Sequence, residues 1–566
     1  MKNTKNNFEV IVIGAGMTGG WAAKEFCDNG HKTLLLDRGR DVKHLIDYPT
    51  TNMQPWEFKY RGNLTREQKE DNPVASKCYA FREDTTHFFA KDKEHPYVQK
   101  KPFDWIKGYQ VGGRSIMWAR QTQRWSDYDF KGPARDGFAV DWPIRYKDLE
   151  NWYSYVEKFV GISGNKDGLD TLPDGEFLKS WDLNCVEKHF QAALKENYKD
   201  RHLIYARCAH LTETNELFQK QGRALCQSRT ICERGCPFGG YFNANSTLIP
   251  WAEKTGNLTL RPNSVVHSII FDEKQNKATG VRVIDAITKE EKEYFAKTIF
   301  VNAGTLNTNL ILLNSTSKRF PNGLGNDNGL LGKYLGFHNY RAKVIATHDE
   351  FDEFVTEGRR PTSAYIPRFR NIKGQETDYL RGYAVSFGAD RKKKIDENSF
   401  GEKLNNNLLS KSTYHPWSVY AGMMGETIPK ETNVVSLDKN LKDDWGIPLL
   451  NISMDYDEND EMMIKDFFAE MTDMLQKAGF KNIQTIDTKQ APGLDIHEMG
   501  GVRMGRDPET SLLNSYNQMH ACNNVFVTDG ACMTSMATQN PSLTFMALTA
   551  RAAEYAMKEM KAGSII

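Results

Sequence analysis

The sequence Phe8-Glu9-Val10-Ile11-Val12-Ile13-Gly14-Ala15-Gly16-Met17-Thr18-Gly19 decides the fold. Its apolar run predicts a buried strand, its Gly-x-Gly-x-x-Gly pattern a glycine-rich turn, and residues 20–29 a helix. A second apolar run, residues 33–36, ends in Asp37 and Arg38. In such a unit Gly14 allows the turn, Gly16 admits a pyrophosphate and Gly19 lets the helix pack on the strand. An acid about twenty residues on accepts hydrogen bonds from a ribose. The stretch therefore predicts a dinucleotide site without deciding between NAD and FAD.

The bulk composition limits the class of protein. At 566 residues the chain is too long for one simple core, so we expect two or more domains. Its net charge of +1 argues against a nucleic-acid binder driven by phosphate contacts. No apolar run reaches the roughly 18 residues of a membrane span, and residues 1–7 leave no room for a signal peptide before the first strand.

Two later segments fit the same sheet. Gly112-Gly113-Arg114-Ser115 has two glycines before a hydroxyl residue, which suits a backbone pressed against a flat ligand. Residues 298–301 form an apolar run, and Ala303-Gly304 follows it at the strand's carboxyl end, where such sheets bind ligands. Residues 41–101 are polar and irregular, and we interpret them either as a cover over the site or as a surface insertion.

A second domain is predicted further along the chain. Residues 342–450 contain alternating apolar and polar segments, which indicate a largely antiparallel sheet. Residues 457–478 have the periodicity of an amphipathic helix whose Met and Phe side chains face a core.

Three cysteines are clustered as Cys226-x5-Cys232-x3-Cys236 in a turn-like setting of Gly and Pro. Such thiols can hold an iron–sulfur cluster or a zinc ion, or form a disulfide plus a free thiol. Because no fourth Cys or His is near, three thiolates suit a three-iron cluster better than closed tetrahedral zinc. A disulfide is the main alternative.

The C-terminal region holds the candidate chemistry. His497-Glu498-Met499-Gly500-Gly501-Val502-Arg503 places a histidine beside two glycines and an arginine. A short apolar run then ends in Asp529-Gly530, and Asn540-Pro541 precedes a final helical segment.

Taken in order, these motifs resemble the glucose–methanol–choline (GMC) oxidoreductases from end to end. Within that family the chain is most similar to the flavin subunits of bacterial gluconate, fructose, glucose and glucoside 3-dehydrogenases. The resemblance implies an α/β fold, with a Rossmann-like FAD-binding domain and a second α+β substrate domain built on a mainly antiparallel sheet. Residues 1–50, 101–125, 220–335 and 495–566 would form the FAD domain, residues 51–100, 126–219 and 336–494 the substrate domain and cap, and residues 226–236 an iron–sulfur loop.

The resemblance also assigns roles to residues. The family's catalytic base falls on His497, and its second polar residue, a His or Asn, falls on Asn540. The implied cofactor-binding residues are Gly14, Gly16, Met17, Thr18, Gly19, Asp37, Arg38, Gly112, Gly113, Ser115, Val266, Ala303, Gly304, Asp529 and Gly530. Relatives with covalent FAD have a His where this chain has Met117, so we expect non-covalent FAD. The implied ligands of a [3Fe-4S] cluster are Cys226, Cys232 and Cys236.

The implied reaction is oxidation of a secondary hydroxyl of a sugar or glycoside, with C3 of a glucoside favoured, to a ketone. His497 would take the hydroxyl proton while hydride passes to flavin N5, and electrons would leave through the cluster to an acceptor such as a cytochrome c. Two alternatives stay open: an oxygen-using pyranose-type oxidase with structural cysteines, and a non-catalytic flavoprotein that only transfers electrons.

A partner and a compartment follow from the same resemblance. We expect a small subunit that carries an export signal, with which this chain would reach the periplasm. Without that subunit the protein would stay in the cytoplasm.

Overall fold

A computed structural model describes residues 6–352, 354, 362–392, 401–409 and 414–565. Its strands, in chain order, are β1 (Asn7–Ile13), β2 (Thr33–Leu36), β3 (Val98–Gln99), β4 (Ile162–Ser163), β5 (Phe177–Leu178), β6 (Leu258–Arg261), β7 (Ser264–Asp272), β8 (Lys277–Asp285), β9 (Glu291–Val301), β10 (Lys333–Gly336), β11 (His338–Asn339), β12 (Ala342–His348), β13 (Ala364–Ile366), β14 (Tyr383–Asp390), β15 (Trp417–Glu426), β16 (Val434–Lys442), β17 (Pro448–Ser453), β18 (Lys481–Asp487), β19 (Met499–Gly501) and β20 (Val525–Val527).

The helices connect and cover these strands. In chain order they are α1 (Met17–Asp28), α2 (Arg66–Asp71), α3 (Asp127–Phe130), α4 (Gly132–Asp136), α5 (Tyr146–Val160), α6 (Cys185–Asn197), α7 (Glu216–Lys220), α8 (Ile249–Lys254), α9 (Thr305–Asn314), α10 (Glu402–Leu409), α11 (Glu458–Lys477) and α12 (Ser542–Ala562). A π-helical turn, Ala244–Leu248, precedes α8. No helix in the described ranges is both long and apolar enough to cross a bilayer.

The first sheet has the strand order β6-β2-β1-β9-β8-β7. β6, β2, β1 and β9 pair in parallel, and β20 pairs in parallel with the last residues of β9. β7 and β8 extend the sheet as an antiparallel hairpin. β1 is buried along Val10–Ile13, as a central parallel strand covered on both faces must be. Helix α1 packs against α8 and α12.

Helix α1 begins earlier than the sequence predicts. It starts at Met17, with Gly16 as its N-cap, instead of at residue 20. Gly19 lies inside the first turn of the helix, and a Cβ there would stand 1.7 Å from the Gly14 carbonyl oxygen, so the position needs glycine. The third glycine of the motif is therefore a packing residue of the helix.

The second sheet is antiparallel, with the order β13-β14-β15-β12-β18 and β11 paired to β15. Helix α11 lies against β12, β15 and β18. Its Met463, Phe467 and Met471 side chains are fully buried, so the Met and Phe stripe faces a core as expected. The sequence-based prediction of a second, mainly antiparallel domain is confirmed. How the chain divides between the two domains remains a prediction.

Candidate active site

A deep cavity of about 330 Å³ lies at the carboxyl ends of β1, β2 and β9. Such ends gather ligand-binding loops in open α/β sheets. The strand ends contribute Gly14, Asp37 and Ala303, and the region after β18 contributes His497.

The turn between β1 and α1 leaves space for a ligand. Gly14 has a φ of +93°, and a Cβ there would lie 2.3 Å from the Asn302 carbonyl oxygen, so the tight turn needs glycine. A Cβ on Gly16 would meet no protein atom within 4 Å. No side chain caps α1 and no acid lies in its first turn. Free N–H groups and a positive helix end therefore face an open space, which is the environment that a phosphate prefers.

Asp37 closes the tip of β2. Its carboxylate accepts hydrogen bonds from the backbone N–H groups of Ala15 and Gly39, each at 2.9 Å. Burial raises the pKa of Asp37 to about 7, against the lowering effect of these two donors. The carboxylate also lines the cavity, where its remaining lone pairs can accept from hydroxyl groups.

The Gly112–Gly113 turn packs against the turn between β1 and α1. The Gly112 N–H donates to the Ala15 carbonyl at 2.9 Å. Gly112 has a φ of +95°, and a Cβ there would overlap the Asn245 side chain at 1.6 Å. A Cβ on Gly113 would stand 3.3 Å from the Gly16 Cα. Two backbone segments without side chains therefore face each other across one end of the cavity, as the binding of a flat or linear group requires.

Asp529, after β20, braces the turn after β9. It accepts from the Gly304 N–H at 2.8 Å, the Thr308 hydroxyl at 2.6 Å and the Ala531 N–H at 3.0 Å. Burial raises its pKa to about 6, although these three donors lower it. The carboxylate thus shapes the cavity wall through backbone contacts.

His497 and Asn540 meet at the other end of the cavity. The Asn540 Nδ2 lies 3.3 Å from His497 Nε2, and the Asn540 Oδ1 has no hydrogen-bond partner within the described ranges. The opposite ring nitrogen, His497 Nδ1, lies 2.8 Å from His338 Nδ1. Burial, together with the neighbouring His338 ring and the charge of Arg114, lowers the pKa of His497 well below its usual range. The histidine is therefore a neutral base beside an amide, an arrangement suited to removing a hydroxyl proton.

The chain matches two models of one protein family. The N-terminal GMC oxidoreductase family model matches residues 8–339, and the C-terminal one matches residues 429–549. The chain belongs to the GMC oxidoreductase family. The resemblance seen in the motifs is confirmed, and so is the prediction of an oxidoreductase that uses FAD.

Relatives of this GMC oxidoreductase match it along their whole length. It is 28% identical to 2-methyl-1,2-propanediol dehydrogenase of Mycolicibacterium austroafricanum, over 98% of this chain and 96% of the relative. It is 25% identical to the fructose dehydrogenase large subunit of Gluconobacter japonicus, over 100% of both chains. A solved structure concerned with FAD modification in Aspergillus oryzae formate oxidase superposes with a TM-score of 0.61 at 12% identity, covering 99% of both chains. The fold prediction is thereby confirmed.

The GMC enzyme has a cavity whose residues fit FAD. The uncapped N-terminus of α1 suits the pyrophosphate, and the Asp37 carboxylate suits a ribose. The open space at Gly16 lets the pyrophosphate come close to the backbone. All residues predicted to bind the cofactor line the cavity except Gly19 and Gly112, which pack against Gly14 and Asn245 instead. Met117 also lines it, and non-covalent attachment stays a prediction.

Several cavity residues were missed by sequence reasoning. Arg114 makes a bidentate pair with Glu498, with N–O distances of 3.2 and 2.9 Å. This pair links the Gly112–Gly113 turn to the segment that contains His497. Both are charged residues inside motifs that the sequence shows, and that position could have predicted them as site residues. Others lie outside any motif and include Tyr79, Trp105, Arg120, Gln121, Tyr340, Ser386 and Met424.

The three clustered cysteines lie in a loop beside the cavity wall. All nine cysteines are within the described ranges and all are free, so the disulfide alternative finds no support in the structure. A zinc ion bound at about 2.3 Å by each thiolate would bring the sulfurs within about 4 Å of one another. Among the described residues these three do not converge that tightly. Arg120, a cavity residue, donates to Glu233 at 2.7 Å, next to Cys232 in the loop.

Proposed function

We propose that this GMC oxidoreductase is a dehydrogenase that oxidises a secondary hydroxyl of a sugar or glycoside to a ketone, with C3 of a glucoside favoured. The observation that carries the proposal is the pair of His497 Nε2 and Asn540 Nδ2, 3.3 Å apart at the cavity end. A hydroxyl placed between them would donate to the imidazole and accept from the amide.

His497 would act on the hydroxyl as a general base. Its neutral form has a lone pair to take the proton, and Asn540 would orient the same oxygen without titrating. FAD, when bound, supplies the acceptor for the hydrogen that leaves carbon as hydride.

Polar side chains in the cavity support a hydroxyl-rich substrate. Gln121 and Ser386 line the cavity and lie 3.4 Å apart, and the hydroxyl of Tyr340, another lining residue, lies 3.1 Å from that of Tyr420. Aromatic and amide groups together suit a pyranose, which has apolar faces and polar edges. The named substrates of two relatives, fructose and 2-methyl-1,2-propanediol, are also hydroxyl compounds.

Electron exit is proposed at the cysteine loop. Cys226, Cys232 and Cys236 would hold a [3Fe-4S] cluster, which would supply one-electron transfer to an outside acceptor such as a cytochrome c. Three free thiols in one loop support this proposal. Burial raises the pKa of the Cys226 and Cys232 thiols, and the positive charge of Arg120 opposes that rise, as it would favour an anionic centre.

A partner subunit is part of the proposal. The fructose dehydrogenase relative is named a large subunit, which supports an assembly with a smaller chain. We propose that this smaller chain carries the export signal and that the assembly works in the periplasm. Fractionation of cells that express this chain with and without its partner tests the location.

The deciding experiment mixes purified protein with methyl glucoside and its 2-deoxy and 3-deoxy analogues, without oxygen. We expect the glucoside and the 2-deoxy analogue to bleach the flavin and the 3-deoxy analogue to be inert. In a parallel assay in air, turnover should still require an artificial acceptor, and iron and acid-labile sulfide should be present. Fast peroxide formation in that assay, without iron, would instead establish an oxidase. No bleaching by any hydroxyl compound without oxygen would establish a non-catalytic flavoprotein.

A further inference from the structure

His338 is a fully buried histidine behind the proposed base. It opens β11, which pairs with β15 through the register His338–Glu426. Its backbone N–H donates to Asp495 Oδ2 at 2.9 Å. The same oxygen accepts from the backbone N–H of His497 at 3.3 Å. One carboxylate therefore holds the backbones of both histidines in place.

The His338 ring has its proton on Nε2. That atom lies 2.9 Å from the carbonyl oxygen of Ala537, which can only accept a hydrogen bond. Burial lowers the pKa of His338 to about 4, so the ring is neutral near pH 7. Its Nδ1 consequently has no proton and serves as an acceptor.

The proton position of His497 follows from this. Its Nδ1 lies 2.8 Å from the His338 Nδ1 acceptor and must donate to it. A neutral His497 then has no proton on Nε2, the nitrogen that faces Asn540 and the cavity, so this atom can accept a proton.

We propose that His338 is a positioning residue, which holds His497 in the tautomer with the proton on Nδ1 and leaves Nε2 as the base. The inference deepens the proposed function and rests on it. The hydrogen-bonded chain runs from the Ala537 carbonyl through His338 and His497 to the substrate hydroxyl. When Nε2 takes the proton, the charged ring still donates through Nδ1 to His338, so its orientation does not change.

The charged groups around the pair bear on its pH behaviour. Glu426 and Arg368 face His338 with opposite charges. Arg114 faces His497, and Asp495 and Glu498 lie in the same segment as that ring. Burial raises the pKa of Asp495 to about 7.

The test compares His338→Leu with His338→Gln. A glutamine side chain offers a carbonyl oxygen to His497 and an N–H to Ala537, whereas leucine offers neither. We expect His338→Leu to slow anaerobic flavin reduction at least about 100-fold and to change its pH profile. His338→Gln should stay within about 10-fold of the parent. His348→Leu, which removes another buried histidine, far from the cavity in β12, should leave the rate unchanged.

A spectroscopic measurement makes the test independent of folding defects and of turnover. ¹⁵N NMR of the parent protein labelled in its histidine rings should show His497 protonated on Nδ1, with assignment by loss of the signal in His497→Ala. The inference is overturned if His497 has its proton on Nε2, or if His338→Leu keeps the parent rate and pH profile. If His497→Ala itself keeps normal reduction, the proposed base is wrong.

Discussion

Asn540 lines the cavity with its amide Nδ2 beside His497 Nε2, and its Oδ1 has no hydrogen-bond partner among the described residues. Asn540→Ala removes the donor that would hold the substrate oxygen, so flavin reduction should fall about 10- to 1000-fold. Stopped-flow reduction at saturating substrate measures the effect. Asn540→His keeps a donor at a position where the family has His or Asn, and it should retain more of the rate. An unchanged rate in Asn540→Ala would remove Asn540 from the mechanism.

His497, as the proposed base, should set the pH dependence of the reaction. The proposed base works unprotonated, so acidification through its pKa should remove activity. Because burial, aided by His338 and Arg114, holds that pKa below the ordinary value of about 6.5, flavin reduction should stay constant from about pH 8 down to about pH 6. Reduction rates in overlapping buffers test this. A half-loss at or above about pH 6.5 would contradict it.

Two glycines of the motif between β1 and α1 have different roles: Gly16 serves ligand binding, and Gly19 serves folding. A Cβ on Gly16 would enter empty space, whereas a Cβ on Gly19 would overlap the Gly14 carbonyl. Gly16→Ala should therefore leave apoprotein unfolding nearly unchanged and lose FAD. Gly19→Ala should destabilise the apoprotein itself by about 1–3 kcal/mol. FAD content and apoprotein melting temperature distinguish the two, and equal melting losses would refute the separation.

The elements that the sequence predicts well are those whose signals are local. The β1–α1–β2 unit combines apolar runs, spaced glycines and a terminal acid, and α11 shows a long periodic stripe. The predicted start of α1, at residue 20, was wrong because the helix already begins at Met17, inside the glycine motif. His338 could not be predicted, since it opens a two-residue strand and meets His497 only through the fold. Gln121 and Ser386, from distant segments, share that property.

Across the whole molecule, a buried ionic network joins the antiparallel sheet of β13, β14, β15, β12 and β18 to α4. Glu426 accepts from Arg368 at 2.6 Å and pairs with Arg381 at 2.9 Å, and Arg381 also reaches Asp136 at 2.8 Å. Glu426→Leu leaves two buried guanidinium groups short of a partner, so it should destabilise the protein by about 3–5 kcal/mol. Urea unfolding measures the change.

The control for this network is an exposed pair. Arg66 pairs with Glu70 at 2.5 Å on the surface of α2, and Arg66→Ala should change stability by less than about 1 kcal/mol. Similar losses in the two variants would show that the network is no more than a set of surface-type pairs. Burial acts to raise the pKa of Glu426, but the two positive partners outweigh it and lower that pKa. The network's contribution is therefore present above the carboxyl's unfolded pKa and is lost as the pH falls through the lower folded pKa.

β20 and β1 both pair with β9, although they lie near opposite ends of the sequence. During synthesis the ribosome makes β1 long before β20, Asn540 and α12. The carboxyl end of β9 therefore lacks one of its two partner strands until the final segment leaves the ribosome. We expect cofactor loading to follow release of the chain, and a ribosome stalled before residue 525 should hold a polypeptide that cannot retain flavin.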